Sequence, residues 1–453
     1  MTGAETQPDP GTRFRAGWMV FWAGFLLRIV YMTAAHTYRF PVVGNHFAFG
    51  FEMGRVARAV ALGHGYADPF DGRTGPTTWV PPLYPLLLAG VFRLFGIYTL
   101  LSAWVILAIN SLFSALTALT TYEIAARCYN RRVAIWSAWI WALYPAALQY
   151  AVRWVWEMSL STWLLTWVLV LALRMRGVGD DPAAASASEP RTLSRWLLFG
   201  AVWGLLALSN PSLLLFLPAA GLWVLRGTRA LPRQIGYAVA SAAVFLLYVS
   251  PWVVRNALVF HRFIPMRANF GAELYMGNGP GASGFLMEYD HPYQARDQLR
   301  LYAAMGEVAY AQMRGRAAER IIAADPGLFL RNTIKRFYFF WVSVPHPTGK
   351  AWFIEAGRVL NFSFASLAGL LGLALALYRR KPGAWLFFWA FVLLPLVYYF
   401  VTVHARFRNP LEPLIAILAV YLFRSADRTR WFSWQAPASD GRRLTVGGLA
   451  KYS

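Results

Sequence analysis

Residues 43–90 of this 453-residue chain read VGNHFAFGFEMGRVARAVALGHGYADPFDGRTGPTTWVPPLYPLLLAG. The stretch follows an apolar run at residues 17–35, and it carries carboxylates, histidines and arginines ahead of a proline-headed apolar tail. An apolar run of about 20 residues is long enough to cross a bilayer as a helix. Residues 43–90 are therefore predicted to form a polar loop directly behind a membrane span.

The composition of the whole chain is typical of a membrane protein. Hydrophobic residues make up 58% of it and charged residues only 14%, which is too few for an ordinary soluble surface. The formal net charge is +22, but the basic residues form short clusters between apolar runs. That distribution follows the positive-inside rule and argues against a nucleic-acid partner. Cys128 is the only cysteine, so no intramolecular disulfide is expected.

The hydropathy pattern predicts an all-α integral membrane protein with about ten transmembrane helices. The predicted spans cover residues 17–35, 100–125, 133–150, 158–173, 196–209, 212–225, 235–254, 360–378, 384–401 and 411–423. The apolar tail at residues 81–96 is predicted as an interfacial or re-entrant helix, because a full span there would move every later basic cluster to the outer side. Arg28 lies inside the first span and is expected to face a polar cavity or to snorkel.

The charge pattern also predicts the domain organisation. A larger outer region is expected to contain a glycine-rich loop at residues 271–284, a polar helix at 292–324 and an amphipathic interfacial helix at 324–342. The predicted parts are a cytoplasmic tail (1–15), an N-terminal transmembrane catalytic module (16–254) with a first outer loop (36–98), the outer periplasmic region (255–355), C-terminal transmembrane helices (356–424) and a cytoplasmic tail (425–453).

Carboxylates in the outer turns are the first candidates for chemistry. Glu52 lies in a predicted helix and could instead pair with Arg55, three residues further on. Glu157 lies in the turn between the third and fourth predicted spans, where an ion pair with Arg153 is the alternative. A metal site formed by His46, Glu52, His64 and Asp68 lacks any zinc-ligand spacing, and polar loop residues at a headgroup interface are the favoured interpretation.

Basic residues at the outer end of the last span are the second group of candidates. His404, Arg406 and Arg408 crowd a short outer turn, although the positive-inside rule disfavours basic residues there. Arg255 occupies a similar outer-end position. A bound phosphate would account for these arginines, because the guanidinium fork matches phosphate oxygens. Contact with lipid headgroups is the alternative interpretation.

Several motifs along the chain resemble those of a C-type membrane glycosyltransferase of the family 39 kind, the group of protein O-mannosyltransferases and of aminoarabinose and galacturonic acid transferases of lipid A. The resemblance covers most of residues 16–423. It rests on the order of RVARAVALGHGY, PPLYPLLLAGVFRLFG, YEIAARCYNRR, RWVWEMSL, GLLALSNPSLLLFLP, PWVVRN and HARFRNPLEPLIAIL.

The resemblance implies roles for particular residues. In such enzymes an acidic residue of the first outer loop is the catalytic base, and Glu52 is the nearest carboxylate to that position, because Phe49 and Gly50 stand where the family's Asp-Glu pair is expected. The family's second acidic residue matches Glu157. Donor phosphate would be bound by Arg255, Arg406, Arg408 and His404. The remaining residues expected around the cavity are His46, Arg55, Asp68, Asp71 and Tyr84, with both aspartates as reserve bases.

The resemblance also implies the reaction and the partners. The expected enzyme transfers a sugar, with inversion, from a polyprenyl-phosphate donor to a lipid, glycan or protein acceptor at the periplasmic or extracellular face of a bacterial inner membrane. A divalent metal ion is a possible cofactor, and membrane lipids are expected partners. Val80 replaces the lysine of the aminoarabinose branch, so the chain is expected outside that branch. One alternative is an O-antigen ligase or polymerase. The other is a transporter or flippase, and a transporter would typically have broken helices at the membrane midplane and internal repeats.

Overall fold

The computed structural model describes residues 10–180, 192–226, 231–285, 290–344 and 352–426. Within these ranges the regular secondary structure is helical, apart from one isolated antiparallel bridge between Ala67 and Pro76. The predicted all-α architecture is therefore confirmed for the described residues. Most of both predicted cytoplasmic tails lies outside the described residues.

Helices follow one another along the whole described chain. The α-helices span Pro10–Ala34, Phe51–Ala61, Leu83–Phe95, Leu100–Cys128, Arg131–Leu143, Pro145–Val152, Met158–Met175, Thr192–Ser209, Leu217–Leu225, Leu231–Phe260, Phe270–Asn278, Arg296–Met305, Glu307–Ala324, Pro326–Val342, Trp352–Tyr378, Ala384–Leu393, Leu396–Phe400 and Glu412–Ala426. Two 3₁₀ helices, Pro211–Phe216 and Ala405–Leu411, precede the α-helices that begin at residues 217 and 412.

Five of the described helices are long and apolar enough to cross a membrane. They are Arg15–Ala34, Leu100–Cys128, Met158–Met175, Pro232–Phe260 and Trp352–Tyr378. Shorter apolar helices cover Leu83–Phe95, Leu193–Ser209, Pro211–Leu225 and Ala384–Phe400. The chain is thus a membrane protein by the length and composition of its helices, whereas the prediction of about ten full spans is borne out only in part.

The third predicted span is not one continuous helix. The chain breaks at Tyr144, whose ψ of 122° is extended, between Arg131–Leu143 and Pro145–Val152. A residue that precedes proline is pushed out of the helical region by the proline ring, which explains the break. The second segment packs against Leu100–Cys128 and leads into the turn that carries Glu157.

The core forms around the Leu100–Cys128 helix, which packs against Pro10–Ala34, Arg131–Leu143 and Met158–Met175. Arg28 is fully buried beside this core and donates from Nη1 to the carbonyl oxygen of Gly24 at 2.9 Å. On the other side, Trp352–Tyr378 and Glu412–Ala426 approach closely at Gly372. A Cβ atom there would lie 2.1 Å from the Leu418 carbonyl oxygen. Small residues permit this spacing between membrane helices.

The region between residues 260 and 344 is more ordered than its sequence suggests. The predicted glycine-rich loop at 271–284 is wrong in its first half, because Phe270–Asn278 is a helix. The predicted polar helix is divided at Gly306, whose φ of +76° interrupts the helical backbone. A Cβ atom at Gly277 would lie 1.8 Å from the Val401 carbonyl oxygen. That glycine therefore allows the Phe270–Asn278 helix to contact the segment leading to His404.

Arg336 fixes the same contact from the side of the Pro326–Val342 helix. Its side chain is fully buried and donates to the Gly284 carbonyl oxygen at 3.0 Å, to Asn278 Oδ1 at 2.9 Å and to the Phe400 carbonyl oxygen at 3.2 Å. One guanidinium thus bonds segments that are far apart in the sequence. Hydrogen bonds from a charged donor are stronger than neutral ones, so Arg336 holds this side of the molecule together.

Candidate active site

A cavity of about 390 Å³ lies where five parts of the chain meet, and we call it the carboxylate cavity. Its walls come from the predicted first outer loop, the turn before the Met158–Met175 helix, the segment at 209–212, the region around the Phe270–Asn278 helix and the segment at 397–407. The polar residues lining it are Glu52, Glu157, Ser209, Asn210, Ser212, Arg267, Asn269, Glu273, His291, Tyr398, Thr402, His404 and Arg406. Carboxylates and cations thus share one concave site, which is the usual setting for catalysis.

Glu52 enters the cavity from the first turn of the Phe51–Ala61 helix. Gly50 precedes it with φ of +116°, a left-handed conformation that glycine adopts without strain. Glu52 is 7% exposed, and burial raises its pKa above the ordinary value, against an opposing effect of Arg406. Its Oε1 lies 3.8 Å from Nε2 of His291. A carboxylate with a raised pKa is a better proton acceptor once it is ionised.

Glu157 is the second carboxylate of the cavity and immediately precedes the Met158–Met175 helix. It is 8% exposed, and burial raises its pKa to about 7, with Arg406 opposing the shift. The charge of Glu52 adds to the rise, which indicates that the two carboxylates are close enough to interact. Within the described residues, the buried Glu157 Oε2 has no hydrogen-bond partner.

Two arginines supply positive charge beside these carboxylates. Arg406 and Arg267 both act electrostatically on Glu52 and on Glu157. The Arg406 guanidinium lies over the Trp156 ring, 4.0 Å from its centroid. In both arginines Nε is buried without a hydrogen-bond partner among the described residues. Buried donors normally have partners, so these two atoms are unsatisfied donors on residues that line the cavity.

His404 also lines the cavity. Its Nδ1 accepts a hydrogen bond from the Arg406 backbone N–H at 3.2 Å. The bond caps the 3₁₀ helix Ala405–Leu411 and places the two side chains at one end of it. Nε2 is therefore the ring nitrogen that can carry a proton in the neutral form.

The structure does not bring the other two predicted phosphate ligands to the carboxylate cavity. Arg408 is fully buried beneath it, where Nε donates to Glu412 Oε1 at 2.6 Å and Nη1 donates to the Trp341 carbonyl oxygen. Arg255 donates to the carbonyl oxygens of Thr77 and Tyr66 at 2.8 and 2.7 Å. Both guanidinium groups thus bond the protein itself.

Glu307 connects the loop at Thr77 and Thr78 to the Arg296–Met305 helix, and Arg255 donates to the same part of this loop. Its carboxylate is 2% exposed and accepts from the Thr78 backbone N–H at 2.8 Å and from the Tyr302 hydroxyl at 2.9 Å. The hydroxyls of Thr77 and Thr78 also donate to it. Trp79, the next residue along the chain, lines the cavity, so this clasp positions one of its walls.

The remaining first-loop candidates shape the loop and do not line the carboxylate cavity. Asp68 Oδ1 accepts from the backbone N–H groups of Thr74 and Gly75 at 2.8 and 2.9 Å. Asp71 accepts from Asn45 Nδ2 at 2.9 Å, and that hydrogen bond lowers its pKa. These bonds explain how the loop turns, and they leave Glu52 as the first-loop carboxylate of the cavity.

Three more predicted residues have structural contacts elsewhere. His46 stacks on the Tyr98 ring, with centroids 4.6 Å apart. Arg55 donates to the Gly44 carbonyl oxygen and faces the Phe47 ring, so the alternative ion pair with Glu52 does not form. Tyr84 is fully buried, and its hydroxyl donates to Asn110 Oδ1 at 3.0 Å.

Sequence reasoning missed several polar residues of the cavity, and four of them, Arg267, Asn269, Glu273 and His291, lie close together in the sequence. All come from the region between residues 260 and 300, more than 200 positions after Glu52. Glu273 Oε1 accepts from Asn269 Nδ2 at 3.0 Å and lies 3.4 Å from an Arg267 nitrogen. The sequence signal for them was Asn269 followed by Glu273, polar residues that are typical of the start of a helix.

The cavity does not contain a ready-made metal site. Across the described ranges, no group of three or more His, Cys, Asp or Glu residues is placed to hold a metal ion. Oε1 of Glu52 and Nε2 of His291 are 3.8 Å apart. No step of the chemistry below depends on a metal ion.

The fold of the chain is similar to that of known structures. The chain aligns with the oligosaccharyltransferase of Archaeoglobus fulgidus in its apo form, with a TM-score of 0.52, 15% identity and 91% of this chain covered. The same archaeal enzyme in complex with an inhibitory peptide and a dolichol-phosphate aligns with a TM-score of 0.51 and 14% identity over 90% of this chain. The chain has the fold of a C-type membrane glycosyltransferase.

The extent of the match limits what it says about activity. The chain spans about half the length of the archaeal enzyme, 52% and 50% in the two structures. ArnT from Cupriavidus metallidurans bound to undecaprenyl phosphate aligns with a TM-score of 0.38 and 17% identity, covering 90% of this chain and 78% of ArnT. Comparison with protein-family models and with curated proteins finds no match.

Proposed function

We propose that the chain is an inverting glycosyltransferase that uses a polyprenyl-phosphate sugar as its donor. The observation that carries this proposal is the convergence of Glu52 and Glu157 with Arg267 and Arg406 in one cavity. A carboxylate can accept the proton of an attacking hydroxyl, and arginines can stabilise a phosphate leaving group. The dolichol-phosphate in the complex of the archaeal structural neighbour supports the same kind of donor.

The proposed reaction is one displacement at the anomeric carbon. The acceptor hydroxyl gives its proton to the Glu52 carboxylate while its oxygen bonds to the anomeric carbon. The bond from that carbon to the phosphate oxygen breaks, and its electron pair stays on the departing polyprenyl phosphate. Attack from the face opposite the leaving group inverts the anomeric centre. The proton on Glu52 then returns to solvent.

Arg406 is the proposed phosphate ligand, with His404 beside it and Arg267 as a second cation. The unpartnered buried Nε atoms of both arginines support this assignment. Contact with the Trp156 ring already restricts the Arg406 guanidinium, so less side-chain entropy is lost when the phosphate binds. Arg255 and Arg408 take no part in the proposal, because neither lines the carboxylate cavity and both donate to the protein's own acceptors.

Glu157 is proposed to orient the acceptor. Its pKa of about 7 means that the protonated form, which donates a hydrogen bond, and the ionised form, which accepts one, are both populated near neutral pH. That property suits a group that holds a hydroxyl while a neighbouring carboxylate removes its proton. It also keeps two negative charges from facing each other in one buried site.

The catalytic face is proposed to be the outer, periplasmic face of an inner membrane. Cys128 is buried, so thiol labelling of the native chain cannot report its side. The orientation can instead be measured in a Cys128→Ser background that carries one introduced cysteine. Arg300→Cys reports on the predicted outer region and Arg226→Cys reports on the turn after the Leu217–Leu225 helix, since both positions are exposed. An impermeant thiol reagent applied to intact cells is expected to label position 300 and not position 226. Labelling of position 226 alone would reverse the orientation.

The direct test uses purified protein and a panel of polyprenyl-phosphate sugars with an extract of cell-envelope acceptors. Release of polyprenyl phosphate that depends on the acceptor is the expected result. Movement of the intact donor across a vesicle membrane without any release would instead make the chain a flippase. Release from a polyprenyl diphosphate oligosaccharide alone would favour an enzyme of the O-antigen ligase kind.

A further inference from the structure

A polar group separate from Glu52 and Glu157 lines the carboxylate cavity on its Phe270–Asn278 side. Asn269 is buried immediately before this helix and donates to Glu273, in the first turn, at 3.0 Å. An Arg267 nitrogen lies 3.4 Å from the same Glu273 oxygen, Oε1. Arg267, Asn269 and Glu273, which we call the outer trio, all line the cavity.

The side chains of the outer trio can form hydrogen bonds with the hydroxyl groups of a sugar. Glu273 accepts hydrogen bonds, Arg267 donates them, and the Asn269 amide does both, so adjacent hydroxyls can each find a partner. Phe270 lines the cavity beside the trio and is 60% exposed, which makes an apolar ring face available to the C–H face of a sugar. Phosphate recognition would not require a carboxylate at this position.

The charge of the outer trio is balanced. Arg267 contributes one positive charge and Glu273 one negative charge, and the two groups are in contact. An ammonium group bound here would be attracted by Glu273 and repelled by Arg267. A sugar carboxylate would be attracted by Arg267 and repelled by Glu273. Neither charged sugar gains the net attraction that would offset the loss of its hydration. An uncharged ring that presents hydroxyls avoids that cost.

We propose that Asn269 and Glu273 bind the sugar ring of the donor, and that the outer trio selects an uncharged sugar with adjacent hydroxyl groups. The inference rests on the proposed function, and it adds the class of sugar and the residues that choose it. Arg267 is placed between the sugar and the phosphate of the donor, because it contacts Glu273 and also acts electrostatically on Glu52 and Glu157. The transferred anomeric carbon then lies between the outer trio and Arg406.

The test compares polyprenyl-phosphate donors that carry a neutral hexose, an aminopentose and a hexuronic acid. Wild-type protein is expected to prefer the hexose in kcat/KM by at least about tenfold, the scale of one hydrogen bond to a charged group. Glu273→Gln leaves a net positive trio and is expected to shift the ratio towards the uronic acid. Arg267→Gln leaves a net negative trio and is expected to shift the ratio towards the aminopentose. Ratios within one variant cancel any common loss of rate.

A KM measurement separates the donor from the acceptor as the sugar bound here. Glu273→Gln is expected to raise the KM for the hexose donor roughly tenfold and to leave the KM for the acceptor unchanged. Glu319→Gln, an exposed carboxylate on the Glu307–Ala324 helix, is the matched control and should change neither. A change in the acceptor KM alone would overturn the donor assignment.

The outcomes also separate this inference from the proposed function. Turnover by wild-type protein with a preference for either charged sugar overturns the selection by the outer trio and leaves the transferase proposal standing. Polyprenyl phosphate release from none of the donors overturns both. The wild-type comparison needs no variant, so poor folding of Glu273→Gln would not remove the test.

Discussion

Replacing Glu52 with glutamine removes the proposed base and keeps the size of the side chain. The described structure gives Glu52 no partner at ion-pair distance other than His291, at 3.8 Å, and burial already disfavours its charged form. A neutral glutamine should therefore be tolerated, with thermal unfolding at or slightly above the wild-type temperature. A loss of folding is not expected, in contrast to what a buried salt bridge would predict.

The kinetic effect of Glu52→Gln should be large and confined to turnover. General-base catalysis contributes about 10²–10⁴-fold, which corresponds to about 3–5 kcal/mol of transition-state free energy. We expect kcat to fall by that factor while the donor KM changes little, because the phosphate ligands are untouched. The assay is acceptor-dependent release of radiolabelled polyprenyl phosphate by purified protein in detergent or nanodiscs. Glu319→Gln provides the control for a glutamate-to-glutamine change.

A folded Glu52→Gln protein with near-wild-type kcat would refute the assignment of the base. The role would then pass to Glu157, the other carboxylate with a raised pKa in the cavity. Asp68 and Asp71 would not be the next candidates, since their oxygens accept the bonds that shape the first loop. A parallel Glu157→Gln measurement distinguishes these outcomes.

Three further predictions follow from the same contacts. Protonation of Glu157 removes the form that accepts a hydrogen bond from the acceptor hydroxyl, so kcat/KM should fall as pH drops below about 7, and Glu157→Gln, which does not titrate, should lower the rate and remove this acidic limb from a pH–rate profile. Arg406→Ala should weaken donor binding roughly 10–100-fold in a lipid-binding assay, whereas Arg316→Ala, at an exposed arginine, should not. Arg408→Ala should lower the free energy of unfolding by about 3–5 kcal/mol, because it leaves Glu412 buried alone, and a purified variant with unchanged thermal stability would contradict this.

The sequence was sufficient for the parts of the fold and site that depend on local patterns. Long apolar runs predicted the long membrane helices, and turn position predicted Glu52, Glu157, His404 and Arg406 as residues of one functional region. The structure places these four in the carboxylate cavity. Their roles in catalysis stay predictions. Charge clusters and hydropathy carry such information because membrane insertion constrains them residue by residue.

Other parts could not be predicted, for identifiable physical reasons. Arg406 and Arg408 look equivalent in the sequence, but the 3₁₀ helix Ala405–Leu411 points one at the cavity and the other into the core. Glycine usually weakens a helix, so the stretch around Gly277 favoured a loop, although its close approach to Val401 requires glycine. The outer trio reaches Glu52 only through tertiary packing across more than 200 residues, which a local pattern does not encode.

The measurement that tests the central claim most directly is the stoichiometry of transfer by purified protein. A polyprenyl-phosphate hexose labelled in both phosphate and sugar is incubated with acceptor, and both products are counted over time together with the anomeric configuration of the new bond. The account predicts one polyprenyl phosphate released for each sugar transferred, inversion at the anomeric carbon, and loss of both products in Glu52→Gln. Retention of configuration, or release that is equal in wild-type and Glu52→Gln protein, would contradict it.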